Sequence, residues 1–101
     1  MAITTRVSSD GKELVVNIKG RFDFSCHQEF RKAYEDSSAS AKAYAIDMKD
    51  TTYLDSSALG MLLLLRDHAG GDNAHIRILN CNNDVRKILS ISNFEQLFTI
   101  Q

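Results

Sequence analysis

Two adjacent hydroxyl groups directly follow a carboxylate in the hexapeptide DSSALG, which spans Asp55 to Gly60. Strand-forming residues and a short acidic loop precede it, and a very apolar stretch follows. We therefore expect Asp55 to cap a helix and Ser56 and Ser57 to lie in its first turn. A serine at this place can be a structural cap, a nucleophile or a phosphate acceptor, because the first backbone N–H groups are unpaired and the helix dipole favours negative charge.

A serine nucleophile needs a nearby general base, and nothing in the sequence requires a base to lie beside Ser56. The segment also lacks the G-x-S-x-G pattern of a nucleophile elbow. Of the three histidines, His68 lies at the far end of the predicted helix, about 18 Å from Ser56 at 1.5 Å per residue. His75 opens the next predicted strand, which leaves His27 as the only histidine that could approach Ser56. We therefore expect that the protein is not an enzyme.

The two cysteines, Cys26 and Cys81, are far apart and form no CxxC pair. Cys26 and His27 are adjacent, but no further ligands follow at a spacing that zinc requires. We expect two reduced thiols, no metal site and no cofactor.

The chain has 101 residues, of which 44% are hydrophobic and 25% charged, which is typical of one soluble globular domain over residues 1–101. Its net charge of -1, without a basic block, argues against nucleic acid as a partner. No stretch reaches the roughly 20 apolar residues needed to span a bilayer, so no direct membrane insertion is expected. The first residues lack the pattern of a secretory signal, which favours a cytoplasmic protein.

Hydrophobic periodicity predicts the elements in the order β-β-α-β-α-β-α, followed by a segment over 93–100 that is helix, strand or both. The predicted strands cover 3–8, 13–19, 42–48 and 74–79, and the predicted helices cover 25–36, 56–69 and 82–92. Asp10-Gly11 is a typical hairpin turn between the first two strands. The third strand follows a helix and is therefore expected to be parallel to an earlier one. The fold class is α/β, with a mixed sheet of four to five strands and helices packed mainly on one face.

The same periodicity predicts which side chains face the core. Within the apolar run from Leu62 to Leu65, about one residue in four is expected to remain free for a partner. Asp23 or Ser25 is expected to cap the first helix. The predicted core faces of the first and third helices are formed by Phe24, Phe30, Ala33 and Tyr34, and by Val85, Ile88, Leu89 and Ile91.

Three segments together resemble STAS domains, and specifically the small stand-alone anti-sigma factor antagonists of bacteria. They are GRFDF (Gly20 to Phe24), AIDMKD (Ala45 to Asp50) and LDSSALG (Leu54 to Gly60). The last resembles the family signature Asp-Ser-[Ser/Thr]-Gly-Leu-Gly, except that Ala58 stands where the family usually has glycine. The resemblance extends over residues 3 to 100 and implies a STAS-like fold.

The resemblance implies that a partner serine kinase, often an anti-sigma factor, phosphorylates Ser56, with Ser57 as the alternative acceptor. The unphosphorylated antagonist would bind that partner and free a sigma factor, and a metal-dependent serine phosphatase would reset the phosphorylated form. By position, Asp23 and Asp55 are expected to shape the site or to contact the partner. Ser57, Ala58, Lys49 and Asp50 complete the predicted partner-binding residues.

The resemblance also leaves other functions open. Some STAS-like proteins are accessory subunits of membrane transporter ATPases and need no phosphorylation. In related partner-switching systems, the output is a regulator of motility, biofilm or secretion rather than a sigma factor.

Overall fold

The chain begins with a β-hairpin, as the Asp10-Gly11 pair predicts. In the computed structural model, which describes residues 2–37 and 43–101, the first two strands pair antiparallel from Ile3 opposite Ile18 to Val7 opposite Leu14. Gly11 adopts a φ of 75°, which a residue without a side chain accommodates at no steric cost. The predicted hairpin is therefore confirmed.

Within the described residues, the strands and helices after this hairpin follow in the order β-α-β-β-α-β-α-β. In chain order the elements are β1 (Ile3–Val7), β2 (Glu13–Ile18), β3 (Gly20–Phe22), α1 (His27–Ser37), β4 (Ala43–Asp47), β5 (Thr51–Leu54), α2 (Ser56–His68), β6 (Ile76–Leu79), α3 (Asn83–Ile91) and β7 (Thr99–Ile100). Short 3-10 turns cover Phe24–Cys26, Gly71–Asn73 and Phe94–Gln96.

The main sheet has the strand order β1-β2-β4-β6-β7. The pairs β2–β4, β4–β6 and β6–β7 are parallel, so only β1 runs against its neighbour. The predicted mixed sheet and the parallel third strand are confirmed. The final segment contains both predicted alternatives, since a 3-10 turn at Phe94–Gln96 leads into β7.

A second, two-stranded sheet was not predicted from the sequence. It consists of β3 and β5, which pair in parallel, with a register irregularity between Gly20 and Arg21. Gly20 has a φ of 80°, and the chain leaves the main sheet at this residue. Both strands are too short to give a clear alternation, and their pairing joins segments that lie on either side of α1 and β4.

The core covers one face of the main sheet. Alternate residues of β2, β4 and β6 point into it and are almost fully buried, as the two-residue period of a strand requires. Helix α2 contributes its buried residues at the i, i+3, i+4 and i+7 positions. The strand residues are Leu14, Val16, Ile18, Tyr44, Ile46, Ile76 and Ile78, and the helix residues are Ala58, Met61, Leu62 and Leu65.

Several predictions about single side chains were wrong. Phe24 is 68% exposed, because it lies in the 3-10 turn before α1 and not on the apolar face of that helix. Ile91 is 73% exposed, because it lies about 200° around α3 from Leu89 at 100° per residue. Two residues of the leucine run, Leu63 and Leu64, are exposed, where one was expected.

Helix boundaries agree with the prediction to within one or two residues. The segment EDSSASAK over 35–42 is typical of a short loop in the sequence, but α1 continues to Ser37, so the beginning of this segment is helical. The rest of it lies outside the described residues. None of the described helices has the length and apolar character needed to cross a membrane.

Candidate functional site

The two strands of the small sheet end side by side. Phe22 of β3 pairs with Leu54 of β5, so Asp23 and Asp55 follow at equivalent positions of adjacent parallel strands, with backbones about 5 Å apart. Both Phe22 and Leu54 are buried and fix the strand ends in the core. The fold thus brings together the backbones of two aspartates that the sequence predicted as separate site residues.

Each of these carboxylates caps the helical segment that follows it. Asp55 Oδ1 accepts a hydrogen bond of 3.0 Å from the backbone N–H of Ala58. Asp23 Oδ1 accepts one of 3.0 Å from the N–H of Ser25, and it also accepts from the Ser25 hydroxyl. The two predicted caps are therefore confirmed.

The hydroxyl of Ser25 is the main reason why the pKa of Asp23 lies below its ordinary value, with the Ser25 backbone N–H as the next cause. Both groups donate to the ionised carboxylate and so favour it over the protonated acid. The Asp23 side chain is 24% exposed. A negative charge is therefore present beside the start of α2 at neutral pH.

The first turn of α2 presents its two serines differently. Ser56 is exposed, whereas Ser57 is half-buried. The geometry of a helix leaves the backbone N–H groups of both residues without an intrahelical acceptor. Ser56 therefore offers an accessible hydroxyl beside unpaired donors and the positive end of the helix dipole.

The other predicted partner-binding residues are not all beside this turn. Lys49 and Asp50 precede β5, whose four residues, Thr51–Leu54, separate them from the helix start by about 13 Å at 3.3 Å per residue. Ala58 has no exposed surface, so its methyl group packs in the core and offers nothing to a partner in this conformation. Lys49 and Asp50 are exposed in the turn between β4 and β5. They line a shallow cleft of about 260 Å³ together with Thr4, Asn17 and Lys19, at the end of the main sheet.

Comparison with known proteins decides the family. A family model described as "Mlab, STAS domain" matches residues 5–99. A STAS-domain containing protein of Pseudomonas aeruginosa (strain UCBPP-PA14) is 63% identical over 100 residues, which cover 99% of each chain. The chain belongs to the STAS domain family. The predicted resemblance is therefore confirmed.

Solved structures agree with the predicted STAS-like α/β fold. The anti-sigma factor antagonist SpoIIAA in its unphosphorylated form is similar with a TM-score of 0.76 and 15% identity, over 99% of this chain and 87% of that one. The phosphorylated form of SpoIIAA from Bacillus gives 0.72 and 16%, over 99% and 91%. A sulfate transporter family protein from Wolinella succinogenes gives 0.71 and 12%, over 91% and 84%. At these identities the likeness shows the fold.

Two residues of the site, Arg21 and Tyr53, were not predicted from the sequence of this STAS domain. Arg21 pairs in register with Tyr53, and its guanidinium carbon lies 4.5 Å from the centroid of the Tyr53 ring. Arg21 Nε also lies 3.5 Å from Asp23 Oδ2. The sequence contains a signal that could have indicated both residues. The tripeptides RFD (21–23) and YLD (53–55) each have a long side chain, then a large apolar residue and then an aspartate, and each precedes a helical turn.

The histidine that could have approached Ser56 has another neighbour. His27 stacks on Phe24, with ring centroids 5.3 Å apart, and no hydrogen bond joins His27 to Ser56 among the described residues. Over residues 2–37 and 43–101, no group of three or more His, Cys, Asp or Glu side chains could hold a metal ion. The arrangement is that of an accessible hydroxyl beside two capping carboxylates.

Proposed function

We propose that this STAS domain is an anti-sigma factor antagonist controlled by phosphorylation of Ser56. The unphosphorylated protein binds an anti-sigma factor or another serine kinase, and the phosphorylated protein releases it. A metal-dependent serine phosphatase restores the binding form. The observation that supports this proposal is the exposed hydroxyl of Ser56 at the first position of α2, beside a half-buried Ser57.

The start of α2 can accept a phosphate without losing its helical structure. A phosphoserine carries about -1.5 to -2 charges at pH 7, and the unpaired backbone N–H groups of the first turn favour such a charge. The same charge would lie close to Asp23 and Asp55. Phosphorylation is therefore expected to change the electrostatic potential of the partner surface while the fold is retained.

The partner surface proposed here extends from Ser56 to its neighbours on the small sheet and the preceding turn. Asp23, Asp55 and Ser57 lie next to the phosphate acceptor, and Lys49 and Asp50 form the rim. Ala58 supports the helix start from inside. The protein acts by binding, without catalysis of its own, and we expect it in the cytoplasm. The target released by the partner is a sigma factor or another regulator.

Quantitative affinity capture from a lysate of the native host tests this function. Wild type, Ser56→Ala and Ser56→Asp serve as baits, and Ser57→Ala and Ser57→Asp are the matched controls in the same helical turn. We expect Ser56→Ala to retain a protein with a serine-kinase domain that Ser56→Asp loses at least tenfold. The Ser57→Ala and Ser57→Asp baits are expected not to separate the captured proteins in this way.

Equal capture of every partner by Ser56→Ala and Ser56→Asp would refute the phosphorylation switch. If only the Ser57 pair separates the captured proteins, the acceptor is Ser57. Phosphopeptide mapping of the protein purified from its host identifies the modified serine independently, because the two serines give different fragment masses.

A second candidate is a phosphorylation-independent accessory subunit of a membrane transporter ATPase. We consider this role because a sulfate transporter family protein has a similar fold. The capture experiment distinguishes the two functions. An ATPase subunit that is recovered equally with all five baits, without a kinase, would favour the accessory role.

A further inference from the structure

Arg21 holds a guanidinium group beside the helix start with most of its hydrogen-bonding capacity unused. Its side chain is 66% exposed, and the ring of Tyr53 supports one face of the guanidinium at 4.5 Å. Arg21 comes nearest to a carboxylate through Nε, and among the described residues no hydrogen bond joins its two terminal Nη atoms to a protein acceptor. A planar group held on an aromatic ring with two free donors is suited to a phosphate.

The ion pair between Arg21 and Asp23 is weak and can be exchanged. The single distance of 3.5 Å is long for a charge-assisted hydrogen bond, which is usually 2.7–2.9 Å. Asp23 does not depend on it, because its other oxygen is already bonded to Ser25. An exposed pair of this kind contributes little stability. Arg21 can therefore exchange Asp23 for a more highly charged anion with little loss of stability.

The pairing of the small sheet places Arg21 within reach of Ser56. Arg21 lies opposite Tyr53, and the following strand residues bring Asp23 beside Asp55. The backbone of Ser56 is about 10 Å from that of Tyr53 at 3.3 Å per strand residue. The combined length of the Arg21 side chain and a phosphorylated serine side chain is sufficient to span this distance.

We propose that Arg21 forms an intramolecular phosphate-binding site, in which its guanidinium leaves Asp23 and binds the phosphoryl group of phosphorylated Ser56. The inference rests on the proposed modification of Ser56. Its consequence is a local change of the surface, since Arg21 moves to the phosphate and Asp23 loses its cation. Phosphorylation then alters the partner surface through two further side chains and not only through the added charge.

The test uses the protein with phosphoserine installed at position 56 by genetic code expansion, and it requires no partner. The ¹H–¹⁵N resonance of Arg21 Nε is compared between the phosphorylated and unphosphorylated forms at low ionic strength, where exposed charges are least screened. The second readout is the ³¹P titration of the phosphoserine, whose second pKa is ordinarily about 6.

We expect phosphorylation to shift the Arg21 Nε resonance. Arg21→Gln is expected to raise the second phosphate pKa by about 0.5 unit, because a cation close to the phosphate stabilises the dianion. Arg21→Lys keeps the charge without the paired donors and should give an intermediate value. Arg31→Gln is the matched control, since Arg31 is 60% exposed and also pairs with one carboxylate, but lies further along α1.

An unchanged Arg21 resonance together with identical titrations of wild type and Arg21→Gln would overturn the proposal. An equal shift for Arg31→Gln would also overturn it, because the effect would then reflect net charge alone. The carboxylates that face the phosphate, Asp23 and Asp55, are the same in all variants. If the NMR test contradicts the Arg21 site, the proposed release of the partner is still decided by the capture experiment. If the capture experiment contradicts partner release, the Arg21 site is still decided by NMR.

Discussion

At the scale of single residues, Ser25 controls the acidity of Asp23. Its hydroxyl and its backbone N–H both donate to the same carboxylate oxygen, and the resulting pKa of Asp23 is lower in the folded protein than its ordinary value. A lowered pKa means that this carboxylate stabilises the fold above its ordinary pKa and loses that contribution as the pH falls through the lowered value.

Ser25→Ala is expected to raise the pKa of Asp23 towards the ordinary aspartate value, because the larger of the two stabilising donors is removed. The measurement is a carboxyl ¹³C titration by NMR. Ser8→Ala is an internal comparison, since the Ser8 hydroxyl donates to Asp10 and lowers the pKa of that residue in the same way. A pKa of Asp23 that stays the same in Ser25→Ala would contradict the assignment.

The residues of the site differ in how far the sequence predicts them. Asp23, Asp55 and the two serines were found because capping is a local pattern, readable within a few residues of the helix start. Arg21 and Tyr53 were missed because their contact depends on the pairing of two short strands that lie far apart in the sequence. The same limit hid the burial of Ala58, which depends on how α2 packs.

At the scale of elements, α2 has neighbouring leucines in opposite environments. Leu62 is fully buried, whereas Leu64 is 53% exposed. Composition alone cannot separate them, because a run of leucines carries no periodicity. The structure separates them through the positions of Ala58, Met61 and Leu65, which share the buried side with Leu62.

Leu62→Ala is expected to lower the free energy of unfolding by about 2–5 kcal/mol, because it leaves a cavity in the core. Leu64→Ala serves as its matched control on the same helix and should change stability by less than about 0.5 kcal/mol. Urea denaturation followed by circular dichroism measures both. Similar losses for the two variants would mean that α2 is rotated from the orientation described.

The element order, the hairpin and the parallel strands follow from periodicity and turn residues, and the sequence predicts them well. What it does not predict are strands of only three or four residues, such as β3 and β5, which contain at most two periods of the pattern. Whether a side chain at a helix end is buried is equally difficult to predict from the sequence. Phe24 and Ile91 fit an apolar pattern in the sequence but lie beyond the helical face that the pattern describes.

At the scale of the whole molecule, Thr51 joins the small sheet to the rest of the fold. It is only 2% exposed, and its hydroxyl donates a hydrogen bond of 2.7 Å to the backbone oxygen of Ile18 in β2. Its own backbone oxygen accepts one of 3.2 Å from Asn82, which also caps α3. One strand start is therefore tied to β2 and to α3.

Thr51→Val keeps the shape of the side chain and removes the donor. We expect a loss of about 1–3 kcal/mol of unfolding free energy, because the Ile18 oxygen loses a buried partner. Amide hydrogen exchange in β5 is expected to quicken more than exchange in β4. Thr52→Val, at an exposed position of the same strand, is the control and should change neither quantity appreciably.

Gly20 lies where the chain passes from the main sheet to the small sheet of β3 and β5. Because its φ of 80° suits glycine far better than other residues, the chain can turn out of the five-stranded sheet at the first residue of β3, the strand that leads to Asp23. Nothing lies within 4 Å of the place that a Cβ atom would take, so the constraint at this position is conformational and not steric. Substitutions at the outward-facing positions of β3 and β5 can therefore accumulate without changing the register of the main sheet, whereas Phe22 and Leu54 are held in the common core.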